Sequence, residues 1–401
     1  MYDYLIIGAG IVGLATAYAI QNKYPQAKIL ITEKENEPAF HQTGHNSGVI
    51  HSGIYYQPGS LKARFAKEGG ARLRHFCETH QVPYETCGKV IVATQENELQ
   101  NLEALYQRGL ENGLTLTRLS ADGLKEYEPH VAGIRGILVP ATGIVDYKQV
   151  ARALADDLRA HENEIFFNTE IKKISHQPDG VTVVSDKGSY TAHFLINCGG
   201  LHCDQIARMA GVNPGMKIVP FRGEYYELKP EQRQLVKHLI YPVPNPKFPF
   251  LGVHFTRMID GRVLAGPNAV PGLKRESYRK SDFDFKEFID TLTYPAFWKM
   301  GSQNLRFGLG EIIRSLSKKR FVARMKALLP EIREEDVIPS HAGVRAQALT
   351  DDGKLADDFI MIHHENALHI LNAPSPAATA SFSIGEAICS EVPEPTHLTL
   401  V

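Results

Sequence analysis

The sequence predicts an α/β chain of two domains, one a doubly wound sheet and the other an antiparallel α+β unit. Three observations carry this reading. The chain opens on strand, glycine turn, helix and second strand; residues 165–200 alternate apolar and polar positions before ending in a buried strand; and 401 residues, 43% of them hydrophobic, exceed what one core usually holds. Lys plus Arg (44) nearly cancels Asp plus Glu (45), so no global field draws in nucleic acid. The five cysteines, Cys77, Cys87, Cys198, Cys203 and Cys389, are scattered without a C-x-x-C and read as reduced thiols of a cytoplasmic protein. Neither a secretory signal nor an apolar run near the roughly 20 residues of a spanning helix is read, so a soluble or at most peripheral protein is expected.

The elements follow in order. YLII (4–7) is a buried strand, LATAYAI a helix ended by Asn22 to Pro25, and KILITE (28–33) a second strand, together a βαβ unit with short connections. Residues 40–60, rich in Gly, Ser, His and Tyr, read as a long ordered loop, which in a compact domain is usually functional. LKARFAKEGGARLRHFCETH is an amphipathic helix, KVIVAT a strand opening another region, and VARALADDLRAH a helix before the meander with its D-G and K-G turns. From 220 to 337 come a proline-rich stretch, strands at GVHFTRM and RVLAGP, and an aromatic, basic helical stretch over 282–330. HAGVRAQALT, FIMIHH and LHILN are strands, followed by a Ser-Pro turn and a last helix. Segments 1–80, 148–219 and 338–401 are expected to form the cofactor domain, and 81–147 with 220–337 the substrate domain.

Gly8-x-Gly10-x-x-Gly13 lies between strand and helix, where glycines permit a tight turn, close approach of backbone to a pyrophosphate, and helix–strand packing. Glu33 ends the second strand twenty residues after Gly13, where a carboxylate accepts hydrogen bonds from a ribose diol and disfavours a 2′-phosphate. This points to FAD or NAD rather than NADP. Two later segments bear on the choice. The meander ends in Asn197-Cys198-Gly199-Gly200, and Ser375 and Pro376 suit the N-cap and first position of the last helix. Such a helix can aim its positive end at a flavin's pyrimidine carbonyl; an ordinary capped helix is the alternative.

Beyond these motifs the chain resembles the L-2-hydroxyglutarate dehydrogenase/oxidase family within the FAD-dependent D-amino-acid oxidase superfamily. The resemblance spans nearly the whole length, through YLIIGAGIVGLATAY, HNSGVIHSGIYY (45–56), PFRGEYYEL (220–228), YPVPNPKFPFLGVHFTRMIDGRVLAGPNAV (241–270), GVRAQ (343–347) and NAPSPAATASFSIGE (372–386). It implies a Rossmann-like FAD-binding domain beside an antiparallel-sheet α+β substrate domain, with FAD as cofactor. It also implies oxidation of L-2-hydroxyglutarate to 2-oxoglutarate, by hydride transfer from C2 to flavin N5. The cofactor contacts expected are Gly8, Gly10, Ile11, Val12 and Gly13, then Glu33 and Lys34, then Thr43, Gly44, Asn46 and Ser47, then Ile171, Cys198, Gly199 and Gly200, and last Ser375, Pro376 and Ala377. Attachment is expected to be noncovalent, although Cys198, Cys203 and His51 are conceivable attachment points.

The chemistry itself asks for a base and a carboxylate clamp. Arginine's planar fork suits a carboxylate, and Arg345, in the glycine-flanked GVRAQ stretch, and Arg222, between Phe221 and Gly223, are the candidates. His254 and His51 are the candidate bases, since a neutral imidazole is available near neutral pH; the sequence does not choose between them. Tyr55, Tyr225 and Tyr241 can donate hydroxyl hydrogen bonds to substrate. His41 and His45, four apart, sit in a glycine-rich stretch that does not read as helix and has no third ligand in view, so no metal is expected. His363-His364-Glu365 reads as a solvated turn.

Between 283 and 330, Phe285, Phe288, Tyr294, Phe297 and Trp298 precede Lys299, Arg306, Arg314, Lys318, Lys319, Arg320, Arg324 and Lys326. Such a segment either covers the substrate domain or lies on the inner face of the cell membrane, where quinone is at hand; quinone or oxygen is the expected electron acceptor. The competing functions are FAD-dependent oxidation of glycine, sarcosine or glycerol 3-phosphate, and a non-catalytic flavin-binding protein.

Overall fold

The unbroken apolar runs at the start of the chain become strands covered on both faces, as parallel strands require. In the computed structural model, which describes residues 1–245, 252–303, 308, 310–311, 315 and 317–395, Tyr2–Ile7 lies parallel to both Ile29–Thr32 and Ser189–Asn197. Among the described residues eight strands form this sheet. Glu164–Phe166 stands beside Ile29–Thr32, the meander Ile171–Gln177, Gly180–Ser185 and Ser189–Asn197 lies on the other side, Ala367–Asn372 pairs onto the meander's last strand, and Ile360–His364 pairs in turn onto Ala367–Asn372. The helices Ile11–Lys23, Leu61–Thr79, Tyr147–Ala160 and Ala377–Glu391 give their apolar faces to one core with the strands, including Ile6, Leu14, Leu73, Leu154 and Ile384.

A second sheet, of nine strands among the described residues, runs Val270–Pro271, Met216–Leu228, Val263–Gly266, His254–Arg257, Leu239–Pro242, Lys89–Ala93, Arg135–Val139 and Thr117–Ser120, with Val337–Thr350 also on Met216–Leu228. Its neighbours are antiparallel except for Leu239–Pro242 with Lys89–Ala93, which are parallel. That pair joins segments nearly 150 residues apart in sequence, a separation that frees it from hairpin direction. A small third sheet joins Val49–Ile50 and Tyr84–Glu85 through Gly143–Val145.

Two details depart from the sequence reading. Val337–Thr350, expected on the cofactor side, pairs along Met216–Leu228 in the second sheet, because a half-buried alternating strand does not say which sheet it joins. The last helix starts at Ala377 with Pro376 as its N-cap and no side-chain cap, so Ser375 does not cap it. The Ala377 N–H instead donates to the Pro374 carbonyl (2.9 Å).

The basic stretch holds the helices Phe285–Leu292, Pro295–Gln303 and Lys318–Met325; Arg306 and Arg314 lie outside the described residues, as does 246–251 of the proline-rich stretch. The helix Lys318–Met325 turns Phe321, Val322 and Met325 into the core of the second sheet. Its apolar face is therefore already covered by protein.

Candidate active site

One cavity of about 1650 Å³ runs from the opening glycine turn to the face of the second sheet. At its first end the turn is as tight as the motif requires. A Cβ on Gly8, whose φ is +105°, would lie 2.6 Å from the Cys198 carbonyl oxygen, and one on Gly13 would lie 2.1 Å from the Gly8 oxygen. The Ile11 N–H donates to Thr43 Oγ1 (3.0 Å). Glu33 is buried and positioned from both sides, Oε2 accepting from the Ala9 N–H (2.9 Å) and Oε1 from the Glu35 N–H (3.0 Å). A carboxylate has about four acceptor positions, so capacity remains for a ribose diol.

Of the expected cofactor residues, Gly8, Gly10, Ile11, Val12, Glu33, Lys34, Thr43, Asn46, Ser47, Ile171, Cys198, Gly199, Gly200, Ser375, Pro376 and Ala377 all line this cavity. Gly13 and Gly44 are not in its wall. Gly13 lets helix and turn close together, and Gly44 packs against the Ala39 carbonyl and Lys148. Asn46 is occupied within its own loop, its Oδ1 accepting from the Gly48 N–H (2.8 Å) and its Nδ2 donating to the Thr43 carbonyl (2.8 Å). Burial pushes the Cys198 thiol up to about 12, and the Cys203 thiol is also raised, so neither is a ready thiolate for attachment to a cofactor.

At the other end of the cavity stand His51, Tyr55, Tyr225, Tyr241, His254 and Arg345. The His51 N–H donates to Thr379 Oγ1 (3.0 Å), and Tyr147 bonds both Thr379 and the Val49 carbonyl, so the loop carrying His51 is tied to the first turn of the last helix. Burial, with Lys89, His254 and Arg345 adding, pushes His51 down to about 3. Burial likewise takes His254 down to about 4, helped by Arg345 and Lys89 and opposed by the Gly252 carbonyl. His254 Nδ1 lies 2.9 Å from that carbonyl and donates to it, which leaves Nε2 as the accepting nitrogen. Tyr241 stacks on the His254 ring, centroids 4.0 Å apart. The buried Tyr55 hydroxyl has no hydrogen-bond partner among the described residues. A buried orphan hydroxyl facing a cavity suits a ligand that brings the missing partner.

Arg222 does not join this group. On the antiparallel ladder it faces Val344 while Phe221 faces Arg345, so Arg345 and Arg222 point to opposite faces. Arg222 is buried against Glu224 (2.8 Å), which also accepts from Asn268 (2.8 Å). The sequence reading missed Tyr56, which lines the cavity, and Lys89, whose signal was a lysine heading an otherwise apolar strand. It also missed Glu276, which no local pattern marks. Glu276, far from both in sequence, meets Lys34 (2.6 Å) and His202 (2.9 Å) at the cavity wall. His41 does gain carboxylate neighbours, Glu35 and Glu276, but the Lys34 ammonium shares their oxygens; His45 instead stacks on Tyr278.

The glycine turn, the carboxylate and the backbone near Cys198–Gly200 thus make an elongated cradle suited to a dinucleotide, with a helix N-terminus at the far end. Comparison with known proteins agrees. The FAD dependent oxidoreductase family matches residues 3–391. The chain is 50% identical to an L-2-hydroxyglutarate dehydrogenase of Indibacter alkaliphilus over 97% of its own length and 98% of that protein's. The chain belongs to the FAD-dependent oxidoreductase family, in its L-2-hydroxyglutarate dehydrogenase branch. Other members of this branch include the mitochondrial L-2-hydroxyglutarate dehydrogenase of Homo sapiens, 43% identical over 98% of this chain and 88% of that protein. The fold is that of L-α-glycerophosphate oxidase from Mycoplasma pneumoniae, solved with FAD bound, at a TM-score of 0.78 and 24% identity over 98% of this chain and 95% of that one. This FAD-dependent oxidoreductase therefore has a Rossmann-like cofactor-binding part and a second, mainly antiparallel part, and FAD is its cofactor.

Proposed function

We propose that this enzyme oxidises L-2-hydroxyglutarate to 2-oxoglutarate. The observation that carries the reading is a cavity in which a dinucleotide cradle opens onto Arg345, the neutral histidines His51 and His254, and a group of tyrosines. Bound FAD supplies the acceptor for the hydride that leaves C2. The chain supplies the rest. Arg345 pairs with a carboxylate of the diacid and orients C2, and Tyr55, Tyr225 and Tyr241 bring hydroxyl donors to its oxygens. A histidine takes the hydroxyl proton; the tautomer set by Gly252 favours His254 Nε2, with His51 as its partner across the site. The cofactor would be gripped by the residues of the cradle named above, with Glu33 on the ribose and the Ser375–Ala377 turn at the ring end.

The segments whose strands make up the first sheet are the cofactor domain in this reading. Residues 81–147 and 220–337, joined by 338–350, are the substrate domain.

The electrons pass onward to quinone or to oxygen. Phe283, Phe285, Ile289 and Trp298 are exposed, at 53%, 70%, 39% and 60%, beside exposed Lys319, Arg320, Arg324 and Lys326 in the same region of sequence. Among the described residues no helix is long and apolar enough to cross a membrane, so contact with the inner face of the cell membrane would be peripheral. Sedimentation with anionic vesicles should fall on charge removal at Lys319 and Arg320 and on Trp298→Ala; equal sedimentation of both variants would remove the membrane from this account.

The deciding experiment is the absorption spectrum of the yellow holoenzyme under anaerobic conditions. L-2-hydroxyglutarate should bleach it, and glycine, sarcosine and glycerol 3-phosphate should not. Bleaching by one of those three but not by the diacid would replace this substrate, and no bleaching by any would leave a flavin-binding protein.

A further inference from the structure

Lys89 begins the strand Lys89–Ala93, where the pattern of burial calls for an apolar side chain, and it is only 1% exposed. Among the described residues no carboxylate is paired with it. Its ammonium instead lies 4.5 Å from the Tyr55 ring centroid and 4.9 Å from that of Tyr241. Both rings line the cavity, while Lys89 stands behind them. An ammonium without a counter-charge in such a place is costly, and a lysine kept there beside a reaction site is a candidate for function. We propose, resting on the oxidation described above, that Lys89 is an electrostatic positioning residue, its ammonium acting across the faces of Tyr55 and Tyr241 on His51, His254 and the bound diacid.

The surroundings support this assignment. Tyr241 is shared, since one face of the pair meets Lys89 and the ring stacks on His254. The Lys89 charge lowers both His51 and His254, and Arg345, in the cavity wall, adds to it. The charged groups on the flanking strands are engaged elsewhere: His238, beside Gly88, with Glu128 (3.1 Å), and Glu85 with Arg257. Directly opposite Lys89 on the neighbouring strands stand Val139 and Leu239. Burial pushes Lys89 down to about 7. Its charge is therefore present below that pH and lost above it, and a dianion arriving at the site favours the charged form.

The test compares wild-type holoenzyme with Lys89→Met and Lys89→Arg, using 2-oxoglutarate binding, read from the flavin spectrum, and the titration of carbon-13-labelled histidines. In the wild type, 2-oxoglutarate should bind more weakly as pH rises through about 7. Lys89→Arg, which stays charged, should bind with no such loss. Lys89→Met should bind about tenfold more weakly at pH 6, and the His51 and His254 midpoints should rise by about one pH unit. A yellow Lys89→Met protein with unchanged histidine midpoints and unchanged affinity would overturn the proposal. Should that variant fail to hold flavin, the wild type decides with carbon-13-labelled lysine. One lysine titrating near 7 supports the proposal, and every lysine titrating above 10 refutes it. The histidine and lysine titrations need no substrate, so a wild type that neither binds 2-oxoglutarate nor bleaches with L-2-hydroxyglutarate would count against the substrate and leave the Lys89 measurements to be read on their own.

Discussion

Arg222 and Arg345 sit one step apart in register on a single antiparallel ladder and project from its two opposite faces. Their pairing partners decide this, Val344 for the first and Phe221 for the second, because directly opposed residues share a face. Arg345→Lys should therefore lower kcat/KM by roughly 10- to 100-fold, the loss of a forked charge-assisted contact, while leaving the flavin spectrum intact. Arg222→Met should leave kcat/KM within about threefold but destabilise the protein by about 2–3 kcal/mol, since Glu224 loses its closest cation. Steady-state kinetics and urea unfolding of both variants check the pair. Equal kinetic damage from both would mean that ladder parity does not govern the site.

Removing the base should cost roughly 10²- to 10⁴-fold in flavin reduction. His254→Asn is expected to show this loss, with His51→Asn affecting substrate affinity more than the reduction rate. Both imidazoles are held well below the ordinary histidine value, by burial first and then by the cations around them. A base whose value is lowered keeps its lone pair until the pH falls through that lower value. The acid limb of kcat/KM should therefore lie below pH 5 instead of near 6.5. A limb at 6 to 7 would show that neither buried imidazole is the base.

Glu33 accepts from two backbone N–H groups and still has capacity for the ribose. Glu33→Gln keeps the size but loses charge and one acceptor, so FAD should dissociate about 10- to 100-fold more readily. Flavin released on dialysis, measured by fluorescence, reads this directly. Full retention would assign Glu33 to shaping the turn alone.

Much of the cradle was legible because its signals are local. Three glycines, a carboxylate at the end of the next strand and a paired glycine after Asn197 each follow from a few neighbouring residues, and the cavity gathers them. The errors arose where the deciding contact was distant. Arg222 looked equivalent to Arg345 because each has a glycine within two residues in a strand-like stretch, and only the register between 216–228 and 337–350 separates them. Ser375 looked like a cap by residue type, whereas the turn satisfies the Ala377 N–H with the Pro374 carbonyl. Lys89 was visible as an oddity in an apolar strand, but its meaning depends on Tyr55 and Tyr241, from segments that meet it only in the fold.

The stretch Leu201–Cys203 of the cavity wall is held by the ion pair of Asp204 with Arg275. Asp204 accepts from both Arg275 nitrogens (2.6 and 3.0 Å), from Arg208 (3.0 Å) and from the Ile218 N–H (3.2 Å), and Arg275 also donates to the Leu201 carbonyl (2.5 Å). The Asp204 and Arg275 side chains are 0% and 4% exposed. Next to Arg275, Glu276 reaches Lys34 and His202, so this short segment bridges two parts of the cavity wall. Asp204→Asn leaves Arg275 buried without its counter-charge and should destabilise the protein by about 3–5 kcal/mol, with looser FAD as a second consequence. Burial raises the Asp204 carboxyl, but Arg275, the Ile218 N–H and Arg208 outweigh burial and hold it below the ordinary value. With the folded value depressed, its contribution is complete above the unfolded carboxyl value of about 3.9 and is lost as pH falls through the folded one. The stability gap between wild type and Asp204→Asn, from urea unfolding, should thus be constant from pH 5 to 8 and narrow below about 4. A gap under about 1 kcal/mol, or one indifferent to acid, would assign the hold on this segment to Glu276 and its partners instead.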